Sequence, residues 1–134
     1  MASITKEIVI DAAAHVVWDA VRDFGAVHQR LFPGILTDAR VESGARIVTF
    51  AGGTVVRELI VDVDDERRRF AYAAVGGRTS HHNASIQVLA EGSDTCRLVW
   101  ITDLLPAEMA APIAMLVGQA AAVMKRTLET RGTP

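Results

Sequence analysis

The sequence predicts an α+β fold in which a seven-stranded antiparallel sheet is covered on one face by a long C-terminal helix. Six strand-like runs follow one another after residue 34 with short turns between them, and strands joined by tight turns must pair antiparallel. A helix-like stretch separates these runs from a first strand, and an apolar stripe at helical spacing follows Pro106. A chain of 134 residues has the size of one domain, so we expect a single domain over residues 1–134.

The elements follow from alternation, helical periodicity and turn residues. Residues 3–11 are predicted to form the first strand, and residues 12–24 a helix that Gly25 breaks before a second short helix over residues 26–31. Glycine pairs and Ser43-Gly44 mark turns, because glycine reaches positive φ without a steric penalty. The remaining strands are predicted at residues 35–42, 46–50, 55–63, 67–75, 82–90 and 96–104.

The last predicted helix begins after Pro106, since proline has no N–H to lose in a first helical turn, and ends at Gly132. One amphipathic helix of this length can cover one face of the sheet. Its apolar positions form a core stripe by default, and Ala120 and Ala121 are small enough to leave space beside it. The stripe consists of Met109, Ile113, Leu116, Val117, Ala120, Val123, Met124 and Leu128.

Composition excludes several classes of function. The net charge of −2, without a basic stripe, argues against nucleic-acid binding. The single cysteine, Cys96, excludes a disulfide framework and a cysteine-rich zinc site, and a strand-like context favours a small buried residue there. No nucleotide loop or hydride-cofactor motif is present, so we expect no cofactor and no metal. We find no signal peptide and no apolar run long enough to span a bilayer, and therefore expect a cytoplasmic protein without a membrane span.

The order of elements resembles the helix-grip fold of the START-like superfamily, which includes the birch-pollen allergen, and within it the bacterial polyketide cyclase/dehydrase branch. The opening ITKEIVIDAAAHVVWDAVRDFGAVHQRLFPG is similar to the family's first strand and paired short helices. The segments VVRELIVDVDDERRRFAYAAVGG, HHNASIQV and CRLVWITDLLP resemble the bacterial branch in order and spacing. The resemblance covers essentially the whole chain.

The resemblance implies a curved sheet that grips the C-terminal helix around an elongated apolar cavity. In the related plant abscisic-acid receptors, the loops that match residues 50–53 and 77–81 act as lids over the mouth of the cavity. The glycines persist here but the other lid residues differ, so hormone-triggered signalling is not implied.

Arg57 and Glu58 are adjacent on a predicted strand and must point to opposite faces of the sheet. The resemblance matches Glu58 to a cavity acid that contacts ligand through water, and we select Glu58. Alternation argues for Arg57, which shares its face with Val55, Leu59, Val61 and Val63, and only a β-bulge would reconcile the two arguments. A salt bridge across the sheet is the structural alternative for either residue.

Two further positions are candidate cavity groups on the central strands. Tyr72 combines an apolar ring with a hydroxyl that needs a partner when buried, so it serves either to orient a ligand or to pack the core. His82 points inward if Ala84 and Ile86 set the phase of their strand. The adjacent His81 then points the other way, which makes the pair a poor metal site.

Asp103 is the second candidate acid, and on alternation it shares a face with Val99 and Ile101. In the cavity, desolvation would raise its pKa and fit it for general acid or base chemistry. Its structural alternative is to cap the helix after Pro106 or to pair with an arginine. The predicted ligand contacts are Glu58, Tyr72, His82, Ile86, Ile101, Asp103, Met109, Ile113, Leu116, Val117, Ala120 and Met124, with Glu58 and Asp103 as catalytic candidates.

Two functions fit this pattern, and the sequence leaves both open. The first is binding of a hydrophobic or aromatic small molecule, which the small number of polar cavity candidates favours. The second is an enzyme of polyketide cyclase/dehydrase type acting on a poly-ketone or aromatic precursor, which needs a folded substrate and few catalytic groups. A third possibility is a homodimer or protein-docking module that uses Leu59, Val61 and Val63 on the outer sheet face.

Overall fold

A computed structural model describes residues 2–131 and contains the predicted seven-stranded antiparallel sheet. Its strand order is β1-β7-β6-β5-β4-β3-β2, so every strand from β2 to β7 pairs with its neighbour in sequence and β1 closes against β7. This confirms the predicted fold class. The strands are β1 (Ala2–Ile10), β2 (Leu36–Glu42), β3 (Ala45–Phe50), β4 (Val55–Asp64), β5 (Arg69–Val75), β6 (His81–Ala90) and β7 (Cys96–Leu105).

The helices also lie where the sequence places them. Two short helices, α1 (Ala14–Arg22) and α2 (Val27–Arg30), follow β1 and are separated by a 3₁₀ turn at Phe24–Ala26. Gly25 lies in that turn, where an added Cβ would come within 2.9 Å of the Val41 side chain, so glycine allows the close approach to β2. After β7 a 3₁₀ turn at Ala107–Met109 leads into α3 (Ala110–Arg131). The predicted end of this helix at Gly132 lies outside the described residues.

The core lies between α3 and the inner face of the sheet. The buried residues of α3 form one stripe, and the helix packs chiefly along β1 at one edge of the sheet. The first half of α3 faces the strands β3 to β7, and an open space separates it from them. The stripe comprises Val117, Ala120, Ala121, Met124 and Leu128.

A β-bulge in β4 decides which side chains of that strand point inward. The register between β4 and β5 shifts between Ile60 and Asp62, where the extra residue is Val61. Val63 therefore packs against the core, which corrects its predicted place on the outer face. Before the bulge, Glu58 lines the inner side and Arg57 is exposed.

The outer face carries exposed apolar side chains, including Leu59 and Val61. Both were predicted to lie there, and Val9, Val55 and Ile101 are further exposed apolar residues of the strands. Self-association through this face stays a prediction.

One feature of α3 differs from the sequence expectation. Within Ala107–Thr130 a stretch of 18 residues has a mean hydropathy of 1.4. By length and composition alone this helix could cross a membrane, so the expectation that no apolar run reaches that length is wrong. The single stripe packed on the sheet identifies α3 as the core helix of this fold.

The packing of α3 predicts different costs for two methionines of the same helix. Met124 is fully buried, whereas Met115 is 67% exposed. We expect Met124→Ala to lower the free energy of unfolding by about 2–5 kcal/mol, because the truncated side chain leaves a cavity in the core. Met115→Ala should change it by less than about 0.5 kcal/mol. Urea unfolding of both variants measures the difference, and equal values would show that this face of α3 is not packed as described.

Candidate functional site

A cavity of about 80 Å³ lies between the inner face of the sheet, α2 and the first half of α3. Its wall is mainly apolar, with a small group of polar side chains on the strands. The lining residues are Val27, Phe32, Ile35, Leu36, Arg46, Val48, Phe50, Glu58, Tyr72, His82, Trp100, Thr102, Ile113, Leu116, Val117 and Ala120.

Seven of the predicted ligand contacts meet at this cavity. The strands contribute three polar side chains and α3 contributes one apolar face. Their contact with a ligand stays a prediction, although their positions agree with it. The seven are Glu58, Tyr72, His82, Ile113, Leu116, Val117 and Ala120.

The other five predicted contacts lie elsewhere. Ile86 and Met124 are buried in the core without lining the cavity, and Met109 is half-buried in the 3₁₀ turn before α3. Ile101 is 37% exposed, and Asp103 lies exposed where it accepts a hydrogen bond from the Ser3 hydroxyl of β1. The predicted cavity positions of Ile101 and Asp103 are therefore wrong. Asp103 has the exposed, hydrogen-bonded setting of a surface residue, so the desolvation argument for general acid or base chemistry does not apply to it.

Sequence reasoning missed nine lining residues, and β7 shows why. Both alternating sets of β7 contain apolar residues, so alternation separates two faces without identifying the inner one. The face with Trp100 and Thr102 is buried, and the face with Ile101 and Asp103 is not. The missed residues are Val27, Phe32, Ile35, Leu36, Arg46, Val48, Phe50, Trp100 and Thr102.

Arg46 is the missed residue that a local signal identifies. It is a lone charge within the apolar strand β3, and a hairpin turn centred on Gly52 places it opposite Glu58. The observed register pairs these two residues directly across β3 and β4. Side chains that face each other across adjacent strands are within reach of an ion pair.

The Arg46–Glu58 pair is the electrostatic centre of the site. Nε of Arg46 donates to Oε1 of Glu58 at 2.7 Å, and the two side chains are only 4% and 13% exposed. Nη1 of Arg46 donates to the Phe24 carbonyl at 3.2 Å. The guanidinium lies 5.1 Å from the ring centroids of both Phe70 and Tyr72, within cation–π range. Each charge therefore has a compensating partner away from water.

Tyr72 lies beside this pair on β5. Burial raises the pKa of its phenol far above the ordinary value, and the negative charge of Glu58 acts in the same direction. Arg46 and the neighbouring indole of Trp100 oppose that rise in pKa. Nε1 of Trp100 is itself buried and makes no hydrogen bond of ordinary geometry with any residue from 2 to 131. Tyr72 is therefore a neutral phenol at neutral pH.

His82 supplies the fourth titratable group of the cavity wall. Burial lowers the pKa of its imidazole below the ordinary 6.5, with a smaller raising effect from Glu58 and a smaller lowering effect from His81. The imidazole is therefore neutral at pH 7.5 and retains one nitrogen that accepts a proton or a hydrogen bond. This imidazole can therefore exchange a proton with a bound molecule.

The site does not have the residues of a metal centre. Within residues 2–131, no group of three or more His, Cys, Asp or Glu side chains is arranged to hold a metal ion. Cys96 is fully buried, as the sequence indicates, and burial raises the pKa of its thiol. A buried thiol of raised pKa is a structural residue, because the reactive species is the thiolate.

The chain belongs to the family described as polyketide cyclase/dehydrase and lipid transport, whose model matches residues 1–131. No curated protein matches the chain significantly. The family membership and the helix-grip architecture agree with the resemblance found in the sequence.

Solved structures of similar fold extend over nearly all of the chain. A START superfamily protein from Mycobacterium smegmatis is 16% identical, with a TM-score of 0.72 over 97% of this chain and 96% of that one. Norcoclaurine synthase from Thalictrum flavum, in complex with dopamine and hydroxybenzaldehyde, is 19% identical, with a TM-score of 0.72 over 96% of this chain and 84% of that one. The di-domain ARO/CYC BexL from the BE-7585A biosynthetic pathway is 18% identical, with a TM-score of 0.84 over 100% of this chain and 48% of that one. The TM-scores establish a shared fold, and at these low identities the likeness extends to the fold alone.

The buried ion pair predicts a large difference between two arginines of neighbouring strands. Arg46→Met should lower the free energy of unfolding by about 3–5 kcal/mol, because it leaves the Glu58 carboxylate buried without its partner. Arg57→Met breaks the exposed pair between Arg57 and Glu42, 2.8 Å apart on the outer face, and should cost no more than about 1 kcal/mol. Urea unfolding at pH 7.5 compares the two. Equal costs would contradict the burial of the inner pair.

The low pKa of His82 predicts a dependence of stability on pH. As pH falls below 6.5, the unfolded chain takes up a proton at this position before the folded protein does. The free energy of unfolding therefore decreases with falling pH until the pH reaches the lower pKa of His82 in the folded protein. His82→Gln should remove this part of the decrease between pH 7.5 and 5.5. The exposed His15 offers the control His15→Gln, which should keep the wild-type profile. A His82→Gln profile parallel to wild type would disprove the assignment.

Proposed function

We propose that the protein binds a small, largely apolar molecule, with an aromatic ring as its preferred shape, in the cavity between the sheet and α3. One observation supports this most: an apolar cavity contains a compensated ion pair, a neutral histidine and a neutral phenol on one wall. Apolar pockets with a few fixed polar groups are typical of small-molecule sites. Burial of ligand surface would supply most of the affinity, at about 25 cal/mol per Å².

The size of the cavity limits the ligand. Its 80 Å³ is roughly half of the ~150 Å³ of an engineered apolar cavity that binds benzene. A ligand of one ring therefore fills the cavity and extends through its open side. Ile35, Phe50, Ile113 and Leu116 are the apolar lining residues that retain exposure, so we place the mouth among them.

An enzyme of cyclase or dehydrase type is the second candidate. The family description and the ARO/CYC neighbour support it, and norcoclaurine synthase is a neighbour solved with aromatic compounds. In this chain His82 is the residue suited to move a proton, because its neutral imidazole lines the cavity. Tyr72 and Glu58 would orient the substrate beside it.

The cytoplasmic location expected from the sequence stays a prediction.

The binding proposal predicts that filling the cavity abolishes binding. Ala120 lines the cavity from α3, whereas Ala122 is exposed on the same helix. Acetophenone, a neutral one-ring compound, should shift the ¹H–¹⁵N amide resonances of Val48, Tyr72 and Thr102 in the wild type. Ala120→Phe should weaken this binding at least about tenfold, because the new ring occupies the cavity, and Ala122→Phe should leave it unchanged.

Circular dichroism checks that both variants are folded. Equal binding by Ala120→Phe and wild type, or no binding by the wild type, would reject the cavity as a ligand site. Native mass spectrometry of freshly purified protein then separates the two functions. A co-purifying compound that is recovered unchanged after incubation supports binding, and its conversion supports catalysis.

A further inference from the structure

The cavity has no net charge at neutral pH. Four titratable side chains line it: Arg46, Glu58, Tyr72 and His82. The phenol of Tyr72 and the imidazole of His82 are neutral at pH 7.5, for the reasons given above. The positive charge of Arg46 is balanced by the negative charge of Glu58 at 2.7 Å.

Arg46 already has a counter-charge and further partners. Its Nε donates to Glu58, its Nη1 donates to the Phe24 carbonyl, and two aromatic rings flank the guanidinium. A ligand carboxylate that approaches Arg46 would have to share its single positive charge with Glu58. The two carboxylates would then lie side by side in a water-poor space, where like charges strongly oppose ionisation of both.

We propose that the Arg46–Glu58 pair makes this cavity selective for uncharged ligands, so that the bound molecule is a neutral ring compound with a polar group rather than a carboxylic acid. This rests on the function proposed above and specifies the ligand class. A neutral carbonyl, amide or hydroxyl group can share hydrogen bonds with the pair without bringing a net charge out of water. A carboxylate would lose its hydration without gaining a free cation, and burial of an uncompensated charge is strongly unfavourable.

Glu58 is therefore the specificity-determining residue, and its removal should reverse the preference. In Glu58→Gln the side chain keeps its size but loses its charge, so Arg46 retains an unbalanced positive charge in the cavity wall. A guanidinium without a counter-charge binds carboxylates through charge-assisted hydrogen bonds. The variant would turn a site for neutral molecules into a site for anions.

Benzamide and benzoate test this inference, because they have nearly the same shape and differ in charge at pH 7.5. Titrations followed by ¹H–¹⁵N NMR give the dissociation constant of each compound for three proteins: wild type, Glu58→Gln and Glu42→Gln. Glu42→Gln makes the same change of charge on the outer face, where Glu42 pairs with Arg57. We expect wild type and Glu42→Gln to bind benzamide at least about tenfold more tightly than benzoate, and Glu58→Gln to prefer benzoate by a similar factor.

The outcomes separate the two levels of the proposal. Benzoate bound by the wild type as tightly as benzamide would overturn the charge selectivity, while the binding function would stand. Acetophenone, benzamide and benzoate all failing to bind the wild type would overturn both. A folded Glu58→Gln that still prefers benzamide would overturn the role of Glu58. Should this variant not fold, the wild-type comparison alone decides the selectivity.

Discussion

The buried ion pair between Arg46 and Glu58 constrains more of this structure than any other contact. Two charges taken from water lose several kcal/mol of hydration each, and only good geometry and further partners recover it. Here those partners come from three elements: Glu58 from β4, the Phe24 carbonyl from the turn before α2, and the rings of β5. A slip of one residue between β3 and β4 would turn one of the two charges to the other face. The pair therefore specifies the register of the sheet at the place where the cavity forms.

The cavity itself follows from where α3 packs. The second half of α3 places Ala121, Met124 and Leu128 in the core, and the helix lies close to β1. Its first half lies opposite strands that carry polar or aromatic groups, and Ala120 is too small to fill the space between them. A larger residue on α3 would fill this space. The small side chain of Ala120 thus keeps part of the interior open beside the buried charges.

The sequence was sufficient for the fold because its turn and periodicity signals are local. Glycine pairs follow β3 and β5, and Gly76 and Gly77 both have the positive φ that such a turn requires. The site was predicted only in part because it depends on which face of each strand is covered. In β4 a bulge at Val61 changes that face within the strand. In β7 both faces carry apolar residues, and Trp100 rather than Ile101 points inward because the helices lie on that side. Phe32 and Val27 reach the cavity through packing that no local pattern encodes.

Binding and catalysis place different demands on this cavity. Binding needs apolar surface and fixed polar partners, and the wall already supplies both before any ligand enters. Proton transfer needs in addition a group whose lone pair is uncommitted. One oxygen of Glu58 already accepts the Arg46 hydrogen bond, and Asp103 lies on the opposite face of the sheet. The neutral imidazole of His82 therefore meets that demand best among the four titratable residues of the cavity wall. Any chemistry at this site would thus add a step at His82 to the ligand recognition that we propose for the Arg46–Glu58 pair.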